Sequence, residues 1–279
     1  MTPFFPAPDA RKTVTCGKQS LDLPVLYFRD DAFALFFTAD PVRVTSVMPS
    51  HRLKPVRLSA RKAMVGIAAF NYIDTTIGPY GEVAVVLPAV YSASPPPVLI
   101  PALLESWYPD FGMLVMHLPV TNTLARDAGR QEWGYTKFVA DMHFTITPEF
   151  MECRVSEKDQ HILTLRVARR GMAMRDKKPL VTFSVKEGDL LKTTIPQRCT
   201  TRSAIKPKDA FLQLGEHPVS ETIRALEISE KPFASRYYLE RSGILPAGRI
   251  IERGVRPFEG YTNKKRKGKH TVAYTAEEP

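Results

Sequence analysis

The sequence predicts an α+β protein dominated by an antiparallel or mixed, barrel-like β-sheet with a few flanking helices. Apolar runs of strand length recur along the chain, among them AMVGIAAFNYIDT (63–75), GEVAVVLPAVY (81–91) and GMLVMHLPV (112–120). Turn-forming residues punctuate them, as at Gly78, Pro79 and Gly81, which read as a hairpin. Apolar residues at helical spacing are confined to short windows, so strands greatly outnumber helices.

Each element follows in order. Residues 1–20 read as irregular, and 30–41 as a strand ending in a turn. The stretch 41–58 reads as a short helix or turn that stops at Pro49. The proline-heavy segment 92–111 reads as a long functional loop before the buried strand 112–120. A short helix is expected over 122–133, with Asn122 as its N-cap, because an Asn side chain accepts from free amides of the first turn. KFVADMHFTITP and FMECRVSEKDQHILTLRVARR alternate as strands, with a turn near Asp159-Gln160. KPLVTFSVKEGDLLKTTIPQR reads as a further strand pair. PVSETIRALEI (218–228) has helical spacing with Ser220 as a candidate N-cap, and a last strand lies in PFASRYYLERSGILPAGRII.

Composition bounds the function. A chain of 279 residues, 44% hydrophobic and 24% charged, is ordinary for a globular protein and long enough to bury a sizeable core. No repeat or low-complexity linker divides it, so one domain is expected over 1–255, followed by a basic tail, 256–279. The net charge of +10 is concentrated there: NKKRKGKH (263–270) holds five Lys/Arg and no acid, leaving +5 for the rest. Such a run reads as a solvated tail, and no zinc-finger or RNA-binding signature supports a nucleic-acid module. Three widely spaced cysteines, Cys16, Cys153 and Cys199, form no CxxC and suggest a reducing compartment. The opening MTPFFPAPDARK lacks the basic and apolar regions of a secretory leader. The longest apolar stretch is broken by serines and prolines, which argues against a membrane span. A cytoplasmic setting is therefore expected.

Dinucleotide, P-loop, zincin and nucleophile-elbow motifs are all missing, and the six histidines are scattered. No cofactor and no metal is expected. One residue is out of place: Lys137 sits in RDAGRQEWGYTKF, between FGMLVMHLPV and FVADMHFTI, at the approach to a buried strand. A lysine there either snorkels to water or serves as a buried amine.

PVTNTLARDAGRQEWGYTKFVADMHF resembles the active-site segment of the acetoacetate decarboxylase superfamily, an A-R-x-x-G-R-E run followed by an aromatic, a proline and the catalytic lysine. TADPVRVTSVMPSHRL, PYGEVAVVLPA, LGEHPVSETIRALEI and SGILPAGRII are similar to other family elements in the same order, covering roughly 25–255. The resemblance implies an acetoacetate decarboxylase-like fold and an imine-forming lyase, with Lys137 as the amine and Glu82 as the acid/base. It implies a small keto acid as substrate and a homo-oligomer as the assembly. Such an amine attacks only when unprotonated, whereas an ordinary lysine titrates near pH ~10.4; apolar strands on both sides of Lys137 can desolvate it.

Further pocket candidates are Tyr135, two residues before the lysine and so on the same side of an extended chain, Arg126 and Arg130 as sources of positive potential, and Trp107 and Tyr108 from the proline-rich insertion. Arg130 and Glu132 read equally as a structural ion pair. Three departures stand out. Phe138 occupies the place where family decarboxylases often carry a second lysine, Thr136 replaces the proline before the lysine, and Thr38 falls where some decarboxylases place an arginine. These point away from efficient acetoacetate decarboxylation. They leave open an aldolase–dehydratase acting on pyruvate plus an aldehyde, decarboxylation of another keto acid, and a non-enzymatic binding protein on the same fold.

Overall fold

The computed structural model describes residues 4–7, 11–17, 19–103, 108, 110–176, 178–258 and 260–261. The chain opens with β1 (Lys12–Cys16), β2 (Gln19–Leu23) and the long β3 (Val25–Ala39). Then come α1 (Pro41–Ser46), β4 (Leu53–Pro55), β5 (Arg57–Ser59), β6 (Lys62–Thr75), β7 (Tyr80–Tyr91) and α2 (Ile100–Leu103). The middle of the chain holds β8 (Phe111–Val120), α3 (Thr123–Trp133), β9 (Lys137–Val139), β10 (Asp141–Ile146), β11 (Phe150–Glu157), β12 (Gln160–Ala168) and β13 (Met172–Asp176). The last part holds β14 (Leu180–Lys186), β15 (Asp189–Ile195), β16 (Gln197–Ile205), β17 (Phe211–Leu214), α4 (Pro218–Arg224), β18 (Ala234–Leu245) and β19 (Arg249–Glu252).

The fold is mostly β with few helices, as the sequence predicts. Among the described residues, thirteen strands share one sheet, whose path runs β13-β16-β18-β3-β6-β7-β8-β14-β15-β19. The path has two ends and does not close. It is mixed, because β8 pairs in parallel with both β14 and β9, whereas the other pairings are antiparallel. A second sheet, β10-β11-β12-β17, packs against it, and β1-β2 form a separate hairpin.

Alternation decides what each face of the central sheet does. Phe33, Leu35, Phe37, Val65, Ile67, Val83, Val85 and Leu87 are fully buried in the core. Intervening residues of the same strands, including Phe70, Tyr72, Tyr80, Ala84 and Val86, face a different cluster with Val115, Leu118 and Trp133. That second face carries the cavity described below.

Several local expectations are revised. Residues 12–23 form a hairpin rather than irregular chain; its strands are mostly exposed and polar, so the apolar pattern is weak, and Gly17 makes the turn at φ 61°. KFVADMHFTITP divides at Ala140, with β9 in the large sheet and β10 in the small one. PFASRYYLERSGILPAGRII likewise makes two strands, β18 inside the sheet and β19 at its end. The last helix is capped by His217, whose Nδ1 accepts from the Val219 amide at 3.2 Å. Ser220 lies within the helix and donates instead to the Ile162 carbonyl at 2.6 Å. Asn122 does cap α3, accepting from the Ala125 amide at 3.1 Å. Most of the proposed tail, including the basic run, lies outside the described residues. Its beginning, however, returns to the core, where the Tyr261 ring stacks edge-on against Phe138 at 4.8 Å and its hydroxyl donates to Glu157 at 2.6 Å.

Candidate active site

Lys137 is positioned by the helix before it and the strand it opens. The buried face of α3, Ala125, Ala128, Gly129 and Trp133, packs on the sheet, and the Trp133 indole donates to the Pro246 carbonyl at 2.8 Å. Gly134 ends the helix in the left-handed region, φ 66°, where a side chain is disfavoured and where a Cβ would also lie 2.4 Å from the Val185 carbonyl oxygen. The chain then turns sharply. Thr136 donates to the Met116 carbonyl at 3.0 Å, and β9 starts with Lys137 in register with Leu118 of β8. Gly129 leaves room for the lysine stem to pass under the helix: a Cβ there would meet Lys137 Cδ at 2.5 Å and Cε at 2.7 Å.

The stem ends on Glu82. Lys137 Nζ lies 2.7 Å from Glu82 Oε2, and the two side chains are only 5% and 9% exposed. Glu82 reaches this point because alternation along β7 turns Tyr80, Glu82, Ala84 and Val86 to one face. Tyr72 donates to the other carboxylate oxygen, Oε1, at 3.3 Å. Tyr80 and Tyr135 set their rings 5.8 and 5.9 Å from the amine. Tyr135 is fixed through its hydroxyl, 2.7 Å from the Thr182 hydroxyl, and Tyr27 pairs with Tyr80 at 3.1 Å. Burial raises Tyr27, Tyr72 and Tyr80 well above the ordinary tyrosine range, with the Glu82 carboxylate adding to it, and raises Tyr135 to about 12. These hydroxyls therefore stay neutral at physiological pH.

Beyond the tyrosines lies a second buried pair. Arg241 donates through Nη1 to Asp30 Oδ2 at 2.7 Å and through Nε to Gln197 at 3.0 Å. Burial raises the Asp30 carboxyl to about 6, although Arg241 opposes this. Burial also works against the charge of Arg241, but Asp30 and the nearby tyrosines outweigh it and hold the guanidinium above its ordinary value. Each cation of the cavity wall thus faces a carboxylate, Lys137 with Glu82 and Arg241 with Asp30.

The structure brings Lys137, Glu82 and Tyr135 together around one cavity of about 100 Å³. The remaining candidates stand elsewhere. Arg126 forks onto Asp127, at 2.7 and 3.0 Å, on the part-exposed face of α3. Arg130 donates to the backbone carbonyl of Lys137, so it holds the lysine's main chain rather than its amine, and its predicted partner Glu132 accepts from Gln131. Tyr108 packs against the cluster of Val56, Met64, Val90 and Phe111. Trp107 lies outside the described residues. Thr38 exchanges hydrogen bonds with Ser229 and does not line the cavity. Phe138 sits in the core beside His217 and Tyr261, on the side of β9 away from the amine. Sequence reading passed over Arg241, Asp30, Gln197, Tyr72 and Gly129. The only signal for Arg241 is a charge in a strand at an inward-facing register, and its partner Asp30 is 211 residues away. Among the described residues no cluster of three or more His, Cys, Asp or Glu could hold a metal ion.

The model of the family described as acetoacetate decarboxylase matches residues 9–253. The chain belongs to that family. Solved structures agree on the fold. An acetoacetate decarboxylase from Legionella pneumophila is 16% identical with a TM-score of 0.64, covering 90% of this chain and 93% of its own. The enduracididine biosynthesis enzyme MppR, complexed with pyruvate, is 12% identical with a TM-score of 0.58, covering 82% and 91%. An acetoacetate decarboxylase-like enzyme from Sphingomonas wittichii RW1 is 13% identical with a TM-score of 0.56, covering 80% and 91%. No curated protein matches the sequence significantly. No helix among the described residues is long and apolar enough to cross a membrane.

Proposed function

We propose that this member of the acetoacetate decarboxylase family is an imine-forming lyase acting on a keto acid other than acetoacetate. Lys137 is the amine and Glu82 the acid/base. The observation that carries the reading is the buried contact of Lys137 Nζ with Glu82 Oε2 at 2.7 Å, on the wall of a largely apolar cavity. Passing the proton from Lys137 to Glu82 exchanges a buried ion pair for a neutral amine and a neutral acid with no change in net charge. The freed amine adds to the ketone carbonyl. Glu82 returns the proton to the departing oxygen, which leaves as water, and a protonated imine remains.

For a β-keto acid, the electrons of the carbon–carboxylate bond then flow into the imine, releasing carbon dioxide and leaving an enamine. Glu82, left as a carboxylate when the water departs, takes up a proton from solvent and passes it to that carbon, and hydrolysis by water then frees the ketone and Lys137. The charge pattern supports loss of the carboxylate over its retention, because both cations of the cavity wall are already matched by carboxylates. A substrate carboxylate placed there gains little from a cation already paired and is destabilised by the apolar wall.

The test is cyanoborohydride reduction with a panel of 3-oxo and 2-oxo acids, followed by peptide mass mapping and assay for carbon dioxide. A single adduct on Lys137 with carbon dioxide from a 3-oxo acid is expected. Condensation of pyruvate with an aromatic aldehyde, and no carbon dioxide from any 3-oxo acid, would establish the aldolase–dehydratase instead. No adduct on Lys137 with any keto acid would leave a binding protein.

A further inference from the structure

Desolvating an amine requires apolar surface only around the amine, yet the cavity wall continues well past it. Three strands supply it in register. The row containing Glu82 is Ala32, Phe70, Glu82. Two residues further along the strands the row is Ala34, Ala68, Ala84, three alanines side by side. The next row is Phe36, Gly66, Val86 and Val115. From Glu82 to Val86 the wall runs roughly 13 Å at the ordinary rise of a strand.

This face carries the smaller residues, although Ala69 on the opposite face is small as well. On the opposite face the same strands present Phe33, Leu35, Ile67, Val83 and Val85, all fully buried. β-strands favour branched and aromatic residues, and interiors are close-packed. At Gly66 the space is taken by Val86 and Phe36, which stand 3.0 and 3.4 Å from where a Cβ would lie, whereas Ala34, Ala68 and Ala84 line a groove that stays open. Tyr72, Tyr80, Asp30 and Arg241 gather on the other side of the amine, so the floor of the groove is apolar; its polar neighbours are on β18, where Tyr238 pairs with Ala32 and Arg236, which donates to the Ser203 hydroxyl at 3.2 Å, pairs with Ala34. The outer part of the groove is the more open one: Phe36, Ala68, Met113 and Leu180 are only partly buried, while Tyr72, Tyr80 and Arg241 are buried.

We infer that the groove is a subsite for an elongated, unbranched apolar substituent on the carbonyl compound. The substrate class is then a keto acid carrying a medium-length alkyl chain, with its carbonyl at Lys137 and its chain over Ala34, Ala68 and Ala84. This rests on the imine reading for the position of the carbonyl and on the strand register for the chain.

The experiment separates the two. Acetone, 2-pentanone and 2-nonanone are each titrated in the presence of cyanoborohydride, and the concentration giving half-maximal adduct on Lys137 is measured. In parallel, 2-nonanol, which forms no imine, is titrated by calorimetry. Each methylene taken from water into an apolar site favours binding by ~4-fold, so 2-nonanone should half-saturate at a concentration at least ~10²-fold below acetone. Ala68→Phe, and independently Ala84→Leu, fill the groove and should reduce that preference and the affinity for 2-nonanol by ~10-fold or more. Equal half-saturation by acetone and 2-nonanone, or 2-nonanol binding that survives both substitutions, would overturn the subsite. If no ketone labels Lys137 while 2-nonanol binds and the substitutions abolish it, the imine reading falls and the apolar subsite stands.

Discussion

Replacing Gly129 by alanine should separate the stability of this protein from its chemistry. Gly129 is helical and buried in α3, and a Cβ there would stand 2.5 Å from Lys137 Cδ and 2.7 Å from Cε, about 1 Å inside ordinary contact. The helix favours alanine over glycine by ~1 kcal/mol. Overpacking costs ~1–3 kcal/mol. The net loss of stability should therefore be about 0–2 kcal/mol, a shift of only a few degrees in Tm for a chain of this size. The lysine stem is the part that can move. Displacing it by about 1 Å pulls Nζ off Glu82, and a misplacement of that size costs ~10²-fold in rate. The assay is the rate of cyanoborohydride trapping at Lys137, read by peptide mass, beside a thermal melt followed by circular dichroism. Trapping at the wild-type rate would refute the reasoning, because the lysine would then not need the space that glycine leaves.

Two further outcomes follow from the same geometry. Glu82→Gln keeps the shape of the carboxylate but removes its proton transfer, so an adduct should still form on Lys137, with both its rate of trapping and turnover reduced by ~10²-fold or more; full turnover would remove Glu82 from the mechanism. His117 is buried with Nε2 2.7 Å from the Thr222 hydroxyl, and burial lowers it from 6.5 to about 4. The unfolded chain takes up the proton first on acidification, so the stability contributed by neutral His117 is full above 6.5 and is lost as the pH falls toward 4. At ~1.36 kcal/mol per pH unit this is about 3 kcal/mol. His117→Gln should accordingly lose about that much less stability than wild type between pH 7 and 4 in urea titrations. Asp30, raised to about 6, acts in the opposite sense in both proteins and drops out of the difference; parallel pH curves would show that His117 is not the titrating group.

By itself the sequence determined the strand-rich class, the hairpin at Gly78–Gly81 and the helix capped by Asn122. These rest on local rules: alternation, turn residues and an acceptor side chain at a helix start. It also singled out Lys137 by its setting between apolar runs, whereas the roles of Lys137 and Glu82 came from family resemblance. Local rules misled where long-range pairing decided the outcome. Ser220 fits an N-cap by type, yet the strand beside it offers the Ile162 carbonyl, and His217 caps the helix instead. Arg126 and Arg130 were placed near the amine by their proximity in sequence, but their positions on α3 direct one to Asp127 and the other to the main chain of Lys137. Only the tertiary structure joined Arg241 to Asp30 across 211 residues, and only the register of β3, β6 and β7 placed Ala34, Ala68 and Ala84 in one row. An alanine in a strand looks the same in sequence whether its neighbours fill the space beside it or leave it empty. Register between distant strands settles which, and it is fixed by the packing of the whole sheet rather than by any one segment.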